Sequence, residues 1–328
     1  MVQAEEILAQ ARGFTRSRVI LSAADLDFFT RLDDKPSTAA ELARKSGCDL
    51  RAATRVLDCL VTFGFLRKEN QHYHNTEAGA LLSARHPETV LPMVLHMSTI
   101  WENWSHLTET VKEGKNPARR TVTEWEGEAQ RAFIGAMHVA GRELSREIAG
   151  AYDLSRFQRL LDIGGASGTY TIAFLRENPE MAATIFDLKE VIPLAAERLA
   201  DEGLLDRVSL VAGDFYRDEL PQGCDLALLS AIIHQNSPQE NLDLYRKIHR
   251  ALLPGGTLLI RDHIMDEARL DPPAGAMFAI NMLVNTRGGD TYTFLEVKET
   301  LEAAGFGEVK WVRSGERMDS LVEARKPH

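Results

Sequence analysis

Cysteine is scarce in this chain, with only Cys48, Cys59 and Cys224 among 328 residues. They are widely separated, form no CxxC pair and lack grouped histidines beside them, so they read as buried reduced thiols, with no zinc site of recognisable spacing. Long apolar runs are missing as well: no stretch approaches the roughly 20 residues of a membrane span. The opening MVQAEEILAQ places acids where a secretory signal needs positive charge and an apolar core, so a cytoplasmic protein is expected. Without that route the sequon at Asn103-Trp104-Ser105 is a chance match. Positive charge is also in deficit, with 38 Lys and Arg against 48 Asp and Glu and a net charge of -10. That balance works against nucleic acid or anionic membranes as partners and favours small-molecule work. There is no internal repeat, no low-complexity tract and no long linker. What is present is a 44% hydrophobic content, enough to bury the core of one large domain or two unequal ones.

Residues 1 to about 85 read as a compact helical unit ending in a hairpin. An amphipathic helix is expected over Ser17–Leu32. Ser37 and Thr38 with Glu41 signal the start of a short helix over Thr38–Ser46, closed by Gly47, and Asp49 caps another over Leu50–Phe63. FLRKENQHYHNT then supplies two short extended runs around a Glu69-Asn70 turn. This is the order of a winged helix-turn-helix. From about 86 to 150 the pattern is helical, broken near GKNPARR by Gly114 and Pro117, and it holds Met93, Met97, Trp101, Trp104, Phe133, Met137 and His138. These read as core filler that collectively could wall a pocket for a flat, apolar guest. From 157 onward RLLDIG, ATIFDL, RVSLVAG, CDLALLS, GGTLLIRDH, EVKWVRS and DSLVEAR alternate with helices, which predicts a mostly parallel sheet covered on both faces.

Ligands of open α/β sheets sit beyond the carboxyl ends of the strands, and RLLDIGGASG occupies that place after the first strand. A dinucleotide fingerprint starting at Gly164 would need glycine at 166 and glycine or alanine at 169, where the chain has Ala166 and Thr169, so a pyrophosphate guest is disfavoured. The spacing that fits is Asp162-x-Gly164-x-Ala166-x-Gly168, which resembles the turn of S-adenosylmethionine-dependent methyltransferases. An acid before the glycines suits a cofactor with an ammonium group and would repel phosphate. Asp187 ends the second strand about 20 residues further on, where a carboxylate accepts from ribose hydroxyls. Gly213-Asp214-Phe215 after the third strand offers a polar contact for an adenine amine and a flat side chain for its face.

With the winged unit, LDIGGASGTY, FDL, VAGDF, LLPGG and a histidine after the fourth strand, nearly the whole chain resembles the small-molecule O-methyltransferases that act on caffeate, flavonoids, acetylserotonin and bacterial natural products. The resemblance implies an α/β, Rossmann-like class I methyltransferase domain over 101–328 and a helical winged-helix dimerisation domain over 1–100. It also implies S-adenosylmethionine as cofactor, released as S-adenosylhomocysteine, and a homodimer. The amino-terminal unit carries Arg51 and Arg55 on its presumed recognition helix, but Asp58 shares that face and no basic stripe is present. No nucleic acid and no membrane is expected as a partner.

Within the resemblance His234 matches the general base, standing in His234-Gln235-Asn236 where plant members have His-Asp-Trp. Asp262 matches the carboxylate that orients it. A second family glutamate, after the pair corresponding to Gly288-Gly289, is replaced by the run Gly289-Asp290-Thr291. The candidate cofactor residues are Asp162, Gly164, Gly165 and Gly168 at the turn, Asp187 and Leu188, then Gly213, Asp214 and Phe215, and Ser230 at the end of the fourth strand. Candidate acceptor contacts are Trp101, Phe133, Met137, His138, Met277, Asn281 and Asn285, and no metal is required. His249 and His263 are read as ordinary histidines. The expected activity is methyl transfer to a hydroxyl of an aromatic or polyketide-like molecule. C- or N-methyl transfer, a non-methylating hydroxylase or decarboxylase on the same fold, and a cofactor-sensing winged-helix regulator stand as alternatives.

Overall fold

The computed structural model describes residues 3–116, 119 and 127–328. The chain divides into two compact units, residues 1–101 with 125–139, and residues 102–124 with 140–328. Pro117, one of the two expected breakers, lies outside the described residues. The other, Gly114, adopts the left-handed conformation that closes the helix Leu107–Glu113.

In the first unit the opening helix differs from expectation. Instead of one helix over Ser17–Leu32 there are two, Ala4–Asp25 and Phe28–Asp34, separated at Asp27, whose φ is 56°. The break has a packing reason: Phe28 and Phe29, adjacent in sequence, are both fully buried with Ala23, Leu42, Leu57, Leu60 and Tyr73. Both open the second helix, and the left-handed residue just before them redirects the chain so that this helix can turn the two rings into the core. The next helices follow the sequence signals. Thr38 and Glu41 form a reciprocal cap on Ala39–Ser46, Gly47 ends it, and Asp49 accepts from the Ala52 amide at 2.8 Å to start Leu50–Thr62. Strands β1 (Ser37–Thr38), β2 (Leu66–Glu69) and β3 (His72–Asn75) form an antiparallel sheet in the order β1-β3-β2. The hairpin turns at Asn70 and Gln71, both at positive φ, one residue later than expected; two positive φ values are what a two-residue turn of matching twist demands.

The second unit is built on seven strands: β4 (Arg159–Ile163), β5 (Ala182–Asp187), β6 (Val208–Ala212), β7 (Cys224–Ser230), β8 (Leu252–Asp262), β11 (Gly307–Arg313) and β12 (Ser320–Arg325). Two short strands, β9 (Ile264–Met265) and β10 (Tyr292–Thr293), pair separately. The order is β11-β12-β8-β7-β4-β5-β6, with β6, β5, β4, β7, β8 and β11 running in one direction and β12, between β8 and β11, antiparallel to both neighbours. Central strands buried on both faces explain why β4 and β7 place apolar residues side by side instead of alternating them with polar ones, as at Leu160-Leu161 and Leu226–Leu229. One face carries Leu161, Ile163, Leu229 and Ile260 with Leu244, Ile248 and Leu301 from helices Pro238–Ala251 and Phe294–Ala303. The other carries Leu160, Leu228 and Leu259 with Ile148, Phe174 and Leu199. The chain runs from β4 outward through β5 and β6, then returns to place β7 on the opposite side of β4. The carboxyl ends of β4 and β7 therefore form the switch point where such sheets bind ligands. Among the described residues no helix is long and apolar enough to cross a membrane.

Candidate active site

The three glycines are needed first by the protein itself. A β-carbon on Gly165 would lie 2.9 Å from the Asp162 carboxyl carbon and 3.1 Å from Ile185. Gly164, at φ 68°, faces Ile232 at 2.8 Å and Phe215 at 3.5 Å by the same measure. Glycine here lets the backbone fold back over the Asp162 side chain and lets Phe215 approach the turn. Asp162 is 1% exposed and accepts from Thr171 Oγ1 at 2.6 Å. Burial, joined by the negative charge of Asp187, pushes its carboxyl up to about 6 against the lowering effect of Thr171.

Asp187 binds the strand ends together. Its two oxygens accept from the Ala166 amide at 2.8 Å and the Leu188 amide at 2.7 Å, while its carbonyl accepts from the Gly213 amide at 2.9 Å. Its carboxyl is also raised, burial outweighing those two bonds. Gly213 is required because a β-carbon would sit 2.4 Å from the Phe186 ring. Asp214 spends one oxygen on the Tyr216 amide at 2.9 Å, the local bond of an Asx turn. Ser230, half-buried, ends β7 beside Arg261 of β8. A buried carboxylate with a half-buried one near enough to repel it is a poor host for phosphate and a good one for a cation, and Phe215 beside the turn offers a face for a flat base. These residues fit an aminoacyl nucleoside sulfonium.

Across the switch point, β7 leads into a short helical turn that carries His234, 9% exposed. Its Nδ1 lies 2.8 and 2.9 Å from the two oxygens of Asp262, which is fully buried at the end of β8. Burial alone would raise the Asp262 carboxyl; the charge and hydrogen bond of His234, the Arg261 cation and the His263 amide reverse this and hold it below the usual carboxylate value. An ionised acid at Nδ1 fixes the tautomer with the proton on Nδ1 and leaves Nε2 as a proton acceptor.

Several contributors escaped the sequence reading. Phe278 stands edge-on to His234 with centroids 4.8 Å apart and tilts against His263 at 5.3 Å. His263 is itself buried, and burial is the main cause of its lowered pKa. Gly289 packs on the His234 backbone: a β-carbon there would lie 2.3 Å from the His234 carbonyl oxygen and 2.6 Å from Thr286 Oγ1. Gly289→Ala is therefore expected to destabilise by about 2 kcal/mol through forced backbone movement and to lower turnover more than cofactor affinity. A melting curve with calorimetric titration checks it, and an unchanged melting temperature would refute the clamp. Asp290, at the place of the second family acid, accepts from the Thr291 amide at 2.8 Å and pairs with Arg269 at 3.5 Å.

The acceptor candidates fall in both units. Trp101, Phe133, Met137 and His138 belong to the first; Trp101 lies under the Arg18 guanidinium at 5.4 Å and Phe133 packs edge-on to His96 at 5.3 Å. In the second, Met277 is 63% exposed on helix Pro273–Asn285. Asn281 Oδ1 accepts from Trp104 Nε1 at 3.0 Å and from Asn285 Nδ2 at 2.9 Å, and Asn285 Oδ1 accepts from Asn103 Nδ2 at 2.7 Å. Both asparagines thus fasten residues 103–104 to this helix, a tertiary task that methionine and asparagine spacing alone does not show.

A seven-stranded sheet with an acid-glycine turn at its switch point defines a class I, S-adenosylmethionine-dependent methyltransferase. Residues 104–307 match the O-methyltransferase domain and residues 8–85 the O-methyltransferase dimerisation domain. The chain belongs to the O-methyltransferase family. It is 33% identical to the tetracenomycin polyketide synthesis 8-O-methyl transferase of Streptomyces glaucescens over 330 residues, covering 98% of this chain and 96% of that one. It is 30% identical to the acetylserotonin O-methyltransferase of Gallus gallus, covering 96% of each. The crystal structure of human N-acetylserotonin methyltransferase in complex with S-adenosylmethionine superposes with a TM-score of 0.86 at 28% identity, covering 99% of this chain and 98% of that one. The protein is an S-adenosylmethionine-dependent O-methyltransferase, as the sequence reading expected.

Proposed function

We propose that the enzyme methylates a phenolic hydroxyl of an aromatic, polyketide-like small molecule, as a homodimer in the cytoplasm, with His234 as general base and Asp262 as its orienting acid. The observation that carries this is the His234–Asp262 pair at 2.8 Å beside the glycine turn. The tetracenomycin relative, and a 3-hydroxy-5-methyl-1-naphthoate 3-O-methyltransferase of Streptomyces sahachiroi at 31% identity over 92% of this chain, support the acceptor class.

When bound, S-adenosylmethionine supplies a methyl group already activated by its sulfonium. Asp162 and Asp187 would meet its cationic and hydroxylated parts, Gly164, Gly165, Gly168 and Gly213 leave the room, and Leu188, Asp214, Phe215 and Ser230 border the nucleoside. A phenol of pKa about 10 is a weak nucleophile at neutral pH. His234 Nε2 takes its proton, and the imidazolium formed is stabilised by the ionised Asp262 at Nδ1. Phe278 covers one edge of the imidazole. Alignment of oxygen, methyl and sulfur contributes several kcal/mol more. Trp101, Phe133, Met137, His138, Met277, Asn281 and Asn285 remain the proposed surroundings of the acceptor.

A screen with labelled methyl donor tests this on hydroxynaphthoates, N-acetylserotonin and hydroxyphenazines. Label transferred to a phenolic oxygen is expected for a fused-ring phenol. Transfer to carbon or nitrogen only would displace the proposal.

A further inference from the structure

A chain of hydrogen bonds that the proposed proton transfer does not use runs from the loop after β6 to the loop after β7. Tyr216 OH donates to Asn236 Oδ1 at 2.5 Å, and Gln235 Nε2 donates to the same hydroxyl at 3.2 Å. Asn236 is fully buried, and its Nδ2 donates to Asn241 Oδ1 at 2.9 Å. Asn241 Nδ2 in turn donates at 2.9 Å to the carbonyl of Ile233, the residue before His234. Tyr292 OH donates to the Asn236 carbonyl from β10. His234 is thus held in a loop whose backbone is tied on either side of it, with Asn236 at the centre.

The other end of this chain reaches the cofactor turn. The Tyr216 amide donates to Asp214 Oδ1 at 2.9 Å, its ring lies 4.5 Å from that of Phe215, and the Gly213 amide is bonded to Asp187. Tyr216 is 43% exposed, so its ring is no core element whose removal would unfold the protein. Lys247 independently pins the same loop, donating to the Phe215 and Asp218 carbonyls at 2.9 Å each. Loss of the hydroxyl alone leaves the loop in place and cuts only its two bonds to the histidine loop, to Asn236 and from Gln235.

We propose that Tyr216 is a positioning residue whose hydroxyl bond to Asn236 transmits occupancy of the cofactor site to the loop carrying His234, so that binding of the methyl donor steadies further a base that Asn241, Tyr292 and Asp262 already hold. A single element biased from both sites is the physical requirement for such coupling. The inference rests on reading Gly213–Phe215 as a cofactor contact and His234 as the base.

Amide hydrogen exchange on the full-length protein, with and without saturating S-adenosylhomocysteine, tests it. In the parent protein the ligand is expected to slow exchange about tenfold both in the glycine turn, 162–170, and in the histidine loop, 231–237. In Tyr216→Phe the turn keeps its protection while that of the loop falls to less than about twofold. Undiminished loop protection in Tyr216→Phe overturns the proposal, and so does loss of protection in turn and loop together, which would make Tyr216 a simple binding residue. Absence of protection at the turn in the parent protein would instead overturn the cofactor-site reading itself.

Discussion

Replacing His234 by glutamine is expected to lower methyl transfer to a phenol by about 10² to 10⁴, the range that a positioned general base supplies. Affinity for S-adenosylhomocysteine should stay unchanged, because His234 lies across the switch point from the acid-glycine turn. The side chain of glutamine fills similar space but takes up no proton at neutral pH, so the phenol must ionise unaided. Titration calorimetry and turnover measured on the same preparation separate the two effects. Turnover close to that of the parent would mean that the acceptor atom is already nucleophilic, and would remove His234 from the chemistry.

The second large effect concerns stability. The Asp162 carboxyl has a folded-state pKa of about 6 against an ordinary 3.8, with burial as the main cause and Asp187 adding to it. A raised carboxyl pKa means that the native state holds the proton more tightly than the unfolded chain. Asp162 is therefore without cost below pH 4, grows costly as pH rises from about 4 to 6, and carries its full penalty above that, on the order of 3 kcal/mol at 1.36 kcal/mol per pH unit. Asp162→Asn mimics the protonated acid and keeps an acceptor for Thr171. It is expected to stabilise the cofactor-free protein at pH 7.5 by roughly that amount and to change little at pH 4. The same variant should gain less stability from added S-adenosylmethionine, since the negative charge proposed to favour the cofactor's cation is gone. Denaturant unfolding at both pH values is the measurement; an equal pH response in parent and variant would show that Asp162 is not the strained acid.

This cost has a functional sense. An acid that is uncomfortable without a cation makes the binding of one more favourable, a trade of stability for affinity common at functional sites. Gly165 makes the arrangement possible, since any side chain there would collide with the carboxyl it covers.

Much of this was legible in the sequence because it depends on local chemistry. The seven strands, the caps at Thr38 and Asp49, the glycine turn with Asp162, the strand-end Asp187 and the loop histidine are each written in a short run of residues. Period, capping groups and turn residues act over a few positions, so they survive without knowledge of the rest of the chain. The break at Asp27 was not legible, because the burial of Phe28 and Phe29 against Leu57 and Tyr73 overrides a locally continuous helical pattern. Nor was the use of Asn281 and Asn285 to hold Trp104 and Asn103, residues more than 170 positions away. Phe278 against His234, Gly289 against its carbonyl and the bridge from Tyr216 to Asn236 likewise join segments remote in sequence. The sequence by itself located the acid-glycine turn and the loop histidine that are proposed to bind the sulfonium nucleoside and take a proton. Only the tertiary structure decided what holds them in place, because packing and long-range hydrogen bonds are chosen by the geometry of the folded chain rather than by spacing along it.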